Sequence, residues 1–261
     1  MAMQRKNNRS SERALHILNA LHDRFPDAKI ELTSAPQDPW QLLVAVVLSA
    51  QATDASVNKA TPALFAAFPS VEAFAAADAA AVEPYIRTIG LYRNKAKNIV
   101  AAARAIVQDH GGQVPRSRKA LVSLPGVGNK SAAVVVANCF GEPAIAVDTH
   151  VGRVARRMGL TQETNPDKVE AELTALLPRD RLLQAHHVFI WHGRRICHAR
   201  APDCAHCPIF LECPRVGVDD IGSKNIKVPK NIQEPARANQ QGKDWKKNSE
   251  KKRSHRGVLE K

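Results

Sequence analysis

Two side chains in the middle of the chain could carry covalent chemistry. Lys130 ends the run Leu124-Pro125-Gly126-Val127-Gly128-Asn129-Lys130, and Asp148 lies in Ala146-Val147-Asp148-Thr149-His150. A lysine is a nucleophile only as the free amine. With an ordinary pKa near 10.4, roughly one molecule in a few thousand is deprotonated at pH 7. A place in the first turn of a helix disfavours the ammonium by only about 0.3–1 kcal/mol, less than one pKa unit. Desolvation in an apolar pocket would have to supply the rest, and a neighbouring carboxylate would oppose it. Asp148 is therefore better suited to accept a proton or to stabilise positive charge developing on a sugar. Taken singly, each has a plain alternative: Lys130 as a surface phosphate contact, Asp148 as a helix N-cap.

The peptide leading to Lys130 lies between two helical patterns. Gly126 and Gly128 allow a tight turn and a close approach of backbone N–H groups to a ligand. Those groups sit at a helix N-terminus, where donors lack internal partners and the dipole favours an anion. With Asn129 beside them, they form the pattern of a helix–hairpin–helix, which grips a DNA phosphate without reading sequence.

A third constellation is Cys197, Cys204, Cys207 and Cys213, spaced C-x6-C-x2-C-x5-C, with Cys139 standing apart. Disulfides suit an exported protein, and no export signal is visible. Four thiolates suit structural zinc. Zinc sites more often pair two short knuckles across a longer spacer. One central C-x2-C with outer cysteines can instead wrap a [4Fe–4S] cluster. Arg194, Arg195, His198, Arg200 and His206 surround this loop and could aim cations at phosphate.

Helices must position all of this. Ser10 and Ser11 precede Ala14, Leu15, Ile17, Leu18 and Leu21, an apolar helix face with an N-cap candidate. Pro39 opens an apolar helix through Leu48, Asp54 can cap the next, with Val57, Ala60, Leu64 and Phe65, and Ser70 can cap one holding Phe74. Residues 94–110 are amphipathic and stop at Gly111-Gly112. Further patterns cover 118–123, 127–138, 149–158, 166–177 and 181–197. No sustained two-residue alternation occurs, so the expected fold is all-α.

The chain has 261 residues and a formal charge of +13, which predicts a polyanionic partner. The longest nearly uncharged stretch, 40–53, is 14 residues and too short to span a bilayer. The basic N-terminus lacks an apolar signal core, so a cytoplasmic location is expected. Residues 222–261 hold twelve Lys/Arg against four Asp/Glu, +8 of the total. Poor in large apolar residues, this tail is expected to be disordered, serving either as a solubilising segment or as a nonspecific phosphate-binding arm.

In this order, the elements resemble the endonuclease III family of base-excision DNA glycosylases. LPGVGNKSA followed by VDTH looks like that family's helix–hairpin–helix with its catalytic lysine and aspartate. The cysteine array matches its cluster loop, LSAQATDASVNKAT (48–61) its signature helix, and IGLYRNKAKNI (89–99) a further motif. The match spans roughly residues 12–215 and leaves the basic tail outside. Asn129 stands where many relatives carry a basic residue.

The resemblance implies two helical lobes flanking a DNA cleft: a six-helix lobe at 30–140, a cluster lobe from 1–29 plus 141–221, and the tail at 222–261. It implies a [4Fe–4S] cofactor on the four cysteines. The partner is double-stranded DNA containing damaged bases or abasic sites, bound by a monomer that is nucleoid-associated and touches no membrane. By position, Gln51 would fill the space left by a flipped base and Leu91 would wedge into the opposite strand; on the residues alone they read as a buried helix glutamine and a core leucine. Lys130 would displace an oxidised pyrimidine at C1′ and cut the strand by β-elimination through a Schiff base, with Asp148 assisting. A related branch, the adenine-specific mismatch glycosylases, carries a glutamate in the helix matching 40–51 and typically lacks the lysine; this chain has no carboxylate there and keeps Lys130. A non-catalytic DNA-binding or redox protein would use the hairpin and cluster alone.

Overall fold

The computed structural model describes residues 2–33 and 38–218, with side chains from residue 9 onward. The expected basic arm at 222–261 lies outside the described residues. Eleven α-helices and two short 3-10 turns make up the regular structure, with no strand among the described residues. No helix among them is long and apolar enough to cross a membrane.

Capping residues set the helix starts. In α2 (Pro39–Ser49), the Trp40 and Gln41 N–H groups donate to the Asp38 carboxylate at 2.9 and 3.1 Å. Ser70 caps α4 (Val71–Ala76), Ser117 caps α7 (Arg118–Val122), and Asn165 caps α10 (Pro166–Leu176). Two expected caps are placed differently. Helix α1 (Ala2–Arg24) starts well before Ser10 and Ser11, which lie inside it. The cap of α3 (Asp54–Ala67) is Thr53, whose hydroxyl accepts from Ser56 N–H at 3.2 Å; Asp54 is thereby free to pair elsewhere. Helix α5 (Ala79–Ile86) has no counterpart in the sequence reading, because Pro84 in its interior argues against a helix there. Helix α6 (Tyr92–His110) ends at Gly111 in the left-handed conformation.

Two apolar cores organise these elements. The first runs from Leu32 to Ala146 and is built around α2, which is buried on all sides from Leu42 to Leu48. Phe74 is fully buried there, with ring centroids of Trp40 at 5.3 Å and Phe68 at 5.1 Å. The second joins Ala14–Leu21 of α1 and the following Phe25 to residues 145–209, drawn from α9 (Thr149–Arg157), α10, α11 (Leu182–Arg195) and the cysteine loop. The irregular segment before α9 is shared: Ala144 and Ala146 belong to the first core, Ile145 and Val147 to the second. Successive side chains of an extended chain face opposite ways, so four residues stitch the cores together.

The turn before α8 (Asn129–Cys139) shows why its two glycines differ. Gly126 has φ 76°, and a Cβ there would lie 2.7 Å from the Asn98 Cβ. Gly128, with φ −91°, sits in backbone any residue adopts, and a Cβ on it would meet nothing within 4 Å. Gly126→Ala should therefore cost more than the roughly 1–2 kcal/mol of left-handed backbone alone, whereas Gly128→Ala should stay within about 1 kcal/mol of wild type. Phe74→Ala should lose about 3–5 kcal/mol. Urea unfolding of the three variants checks this ranking.

Candidate active site

Lys130 is the second residue of α8 and is exposed, as are Gly128 and Asn129. No side chain caps the first turn of this helix, so its N–H groups remain available to an anion. A nucleophilic lysine calls for a dry amine, whereas Lys130 stands exposed to water in the free protein.

Asp148 is half-buried and does cap a helix: its Oδ1 accepts from the Val151 N–H at 2.7 Å. The plain reading as a cap holds, and it uses one carboxylate oxygen while fixing the direction of the other. Lys130 and Asp148 line the same cavity, of about 120 Å3, with Glu31, Ser49, Asp54, His186, His187 and Arg194. It opens where the two cores meet, with Lys130 delivered by a first-core helix and Asp148 by a second-core helix.

Sequence reasoning missed the rest of this wall. His186 is fully buried, and its Nδ1 lies 3.0 Å from the Ala146 carbonyl. A carbonyl only accepts, so Nδ1 carries the proton. Burial pushes the imidazole down to about 4, the Asp148 charge opposing this and the Lys130 charge adding to it. His186 is therefore neutral at pH 7 and steadies the irregular segment two residues before Asp148. Burial, reinforced by His186, takes His187 down to about 3.

Arg194 bridges two carboxylates, Glu31 and Asp54, the latter at 2.7 Å, and Arg195 holds Glu31 at 2.7 Å while stacking on Trp191. Burial raises the Glu31 pKa, but hydrogen bonds and charge from Arg195 and Arg194 outweigh it and keep the group ionised. Sequence reasoning aimed these arginines at phosphate; the structure turns them to carboxylates of the other core. Glu31 lies more than 160 positions away and Asp54 is likewise far beyond any helical spacing, so no local signal could reveal them.

Gln51 and Leu91 depart from their plain readings. Gln51 is exposed in the turn after α2, with φ 56°, and Leu91 is 60 % exposed at the start of α6, with φ 58°. Neither is a core residue.

Cys197, Cys204, Cys207 and Cys213 line one apolar pocket with Arg157, His192 and Ile209, and none is disulfide-bonded. Burial pushes the Cys207 thiol up to about 12 and raises Cys204 and Cys213 as well. One buried and three half-buried thiols, with the Arg157 guanidinium 3.4 Å from the Cys197 sulfur, form a donor set that binding to a metal would deprotonate. Among the described residues no three His, Cys, Asp or Glu converge tightly around a single ion. What the chain offers at this place is a set of four thiols lining one pocket.

Residues 44–179 match the family model described as HhH-GPD superfamily base excision DNA repair protein. The chain is 46 % identical over 197 residues to "Endonuclease III" of Bacillus subtilis, covering 75 % of this chain and 89 % of that one. The Escherichia coli K12 protein of the same name is 44 % identical over 199 residues, covering 76 % and 93 %. A solved structure described as a trapped endonuclease III–DNA covalent intermediate superposes with a TM-score of 0.75 at 42 % identity, covering 78 % of this chain and 96 % of the other. A thermostable thymine-DNA glycosylase does so at 0.68 and 25 % identity, covering 82 % and 98 %. Matched by that family model over half of its length and by relatives 44 % and 46 % identical over about three quarters of it, the chain belongs to the endonuclease III family of the HhH-GPD superfamily.

Proposed function

We propose that this protein is a bifunctional DNA glycosylase and abasic-site lyase that removes oxidised pyrimidines from double-stranded DNA. The observation that carries the reading is the single cavity shared by Lys130 and Asp148 at the junction of the two cores. The cores form two lobes, 30–140 and 1–29 plus 141–221, with the duplex lying in the groove between them. Open N–H groups at the start of α8, with Gly126, Gly128 and Asn129, hold a phosphate of the damaged strand.

A base inside a duplex hides its C1′, so the target nucleotide is flipped into the cavity. Gln51 fills the vacated space and Leu91 wedges into the opposite strand; their exposure at the tips of two turns suits both roles. Closing of the duplex over the cavity strips water from Lys130, favouring the free amine. Lys130 Nζ attacks C1′ and the damaged base departs with the glycosidic electron pair. Asp148 stabilises the developing positive charge on the sugar and takes the proton lost from the amine. The C1′–O4′ bond then opens, the ring oxygen taking a proton, and the resulting Schiff base acidifies the 2′ proton; its loss expels the 3′ phosphate and cuts the strand.

Cys197, Cys204, Cys207 and Cys213 are proposed to hold a [4Fe–4S] cluster, which braces their loop. In the adenine-specific branch a glutamate in α2 takes part; here α2 carries no carboxylate. The nearby Glu31 and Asp54 are engaged by Arg194. The protein acts as a monomer on the chromosome, in the cytoplasm.

Borohydride reduction of the Schiff base tests the mechanism. Wild type should be trapped on a thymine-glycol duplex, and Lys130→Ala should give no adduct and lose at least about 1,000-fold in strand cleavage. An adduct of wild-type yield in Lys130→Ala overturns the assignment. The purified protein should show broad visible absorption, with iron and acid-labile sulfide in equal amounts, lost in Cys204→Ala. A colourless protein carrying zinc overturns the cofactor.

A further inference from the structure

Gln51 and Leu91 share a conformation that an ordinary side chain avoids. Both lie in the left-handed region, at φ 56° and φ 58°, where Cβ crowds the following carbonyl. Both are at the surface, so packing of their own side chains does not hold them there. Strain of this kind persists only where the surroundings over-determine it. The two turns run side by side: a Cβ placed on Gly90 would lie 4.0 Å from the Gln51 carbonyl oxygen.

Beneath them is Lys95, one turn into α6 and only 6 % exposed. Its backbone N–H donates to the Leu91 carbonyl at 3.0 Å. Its ammonium donates to the Leu48 carbonyl at 2.9 Å and the Ala50 carbonyl at 2.6 Å. Those carbonyls belong to the last turn and the C-cap of α2, the negative end of that helix, and Ala50 immediately precedes Gln51. One residue therefore grips the chain on both sides of the problem: Leu91 through its main chain, the Gln51 turn through its side chain. Burial lowers the Lys95 pKa, and a buried lysine is a costly way to fill apolar space beside Ala96 and Ile99. A methionine would pack there without that penalty. The cation is kept for the carbonyls it holds.

We propose that Lys95 is a positioning residue for strand opening: its ammonium pins the Gln51 turn to the head of α6, so that Gln51 and Leu91 enter the duplex as one rigid two-pronged wedge. The inference rests on the reading of Gln51 and Leu91 as the groups that open the duplex. Two separately moving tips would have to be aligned at the moment of flipping; a pinned pair is aligned before DNA arrives, which lowers the cost of reaching the flipped state.

The test compares two substrates with the full-length, cluster-loaded protein. One is a fully paired duplex with thymine glycol opposite adenine, which must be opened. The other is a single-stranded oligonucleotide with an abasic site, which offers nothing to wedge apart. Lys95→Met should slow the duplex reaction about 10-fold or more and leave the single-strand reaction within about twofold. Gln51→Ala and Leu91→Ala should show the same duplex-selective loss. Adding Lys95→Met to Leu91→Ala should then cost clearly less than the product of the single effects, since the pin has less left to align. An equal fall on both substrates, or no fall on the duplex, overturns the pin. If Gln51→Ala and Leu91→Ala lack duplex selectivity, the wedge reading fails and takes the pin with it. If they keep it while Lys95→Met does not, the pin alone fails. Should Lys95→Met not fold, Lys95→Gln carries the same test, with a loss of about threefold or more on the duplex only.

Discussion

The site depends on how residues 144–147 are shared between two apolar cores. Ala144 and Ala146 are buried in one, Ile145 and Val147 in the other. A one-residue slip would exchange all four, putting Ile145 and Val147 where alanines fit. The register is thus fixed by packing, and Asp148, the next residue, is fixed with it. Its cap bond to the Val151 N–H then sets how the carboxylate leaves the backbone. Lys130 comes to the same cavity on α8, which buries Ala132 to Ala137 in the first core. Neither residue chooses its partner; the meeting of the cores does.

Charge at this junction is arranged so that Lys130 and Asp148 stand among settled neighbours. Arg194 and Arg195 are committed to Glu31 and Asp54, and His186 is neutral through burial. The bridging pairs join α11 to segments 30–33 and 54–67, so they also tie the cores together on one side of the cavity. Partly buried pairs are screened less by salt than exposed ones. What remains open to a substrate is an exposed amine, a half-buried carboxylate and the uncapped start of α8.

Much of this was legible in the sequence, for physical reasons that differ by residue. The hairpin before α8 reads clearly because its turn demands a residue such as Gly126, with positive φ and Asn98 pressed against it. Gly128 was argued from conformational freedom, but its backbone needs none; its value is the open space above the helix start. Asp148 carried two readings, and the cap is the one its bond to the Val151 N–H bears out. The starts of α1 and α3 were misplaced because Ser10, Ser11 and Asp54 have cap chemistry wherever they stand, and only tertiary context tells a used cap from an unused one. Pro84 hid α5. The long-range pairs of Arg194 and Arg195, and the burial of Lys95 and His186, leave no mark in local spacing. Gln51 and Leu91 were singled out by resemblance alone; their surface positions and positive φ belong to the fold.

The cysteine loop enters the same mechanical argument. Arg153 on α9 donates to the Gly193 carbonyl at 2.8 Å and to the Cys197 carbonyl at 3.1 Å, while Arg157, one turn further on, donates to the carbonyls of His198 and Ala199. The helix whose first residue follows Asp148 is therefore bolted to the start of the loop by two guanidinium groups. Each fixes carbonyls that an irregular loop would otherwise leave to water. The loop lends Cys207 and Ile209 to the second core, and its four thiols line one pocket. Tightening it through its four sulfurs would hold α9 at both ends, by the alternating segment before Asp148 and by the loop beyond Arg157. The Asp148 carboxylate then has almost no freedom except that of its own side chain, while Lys130 across the cavity remains exposed.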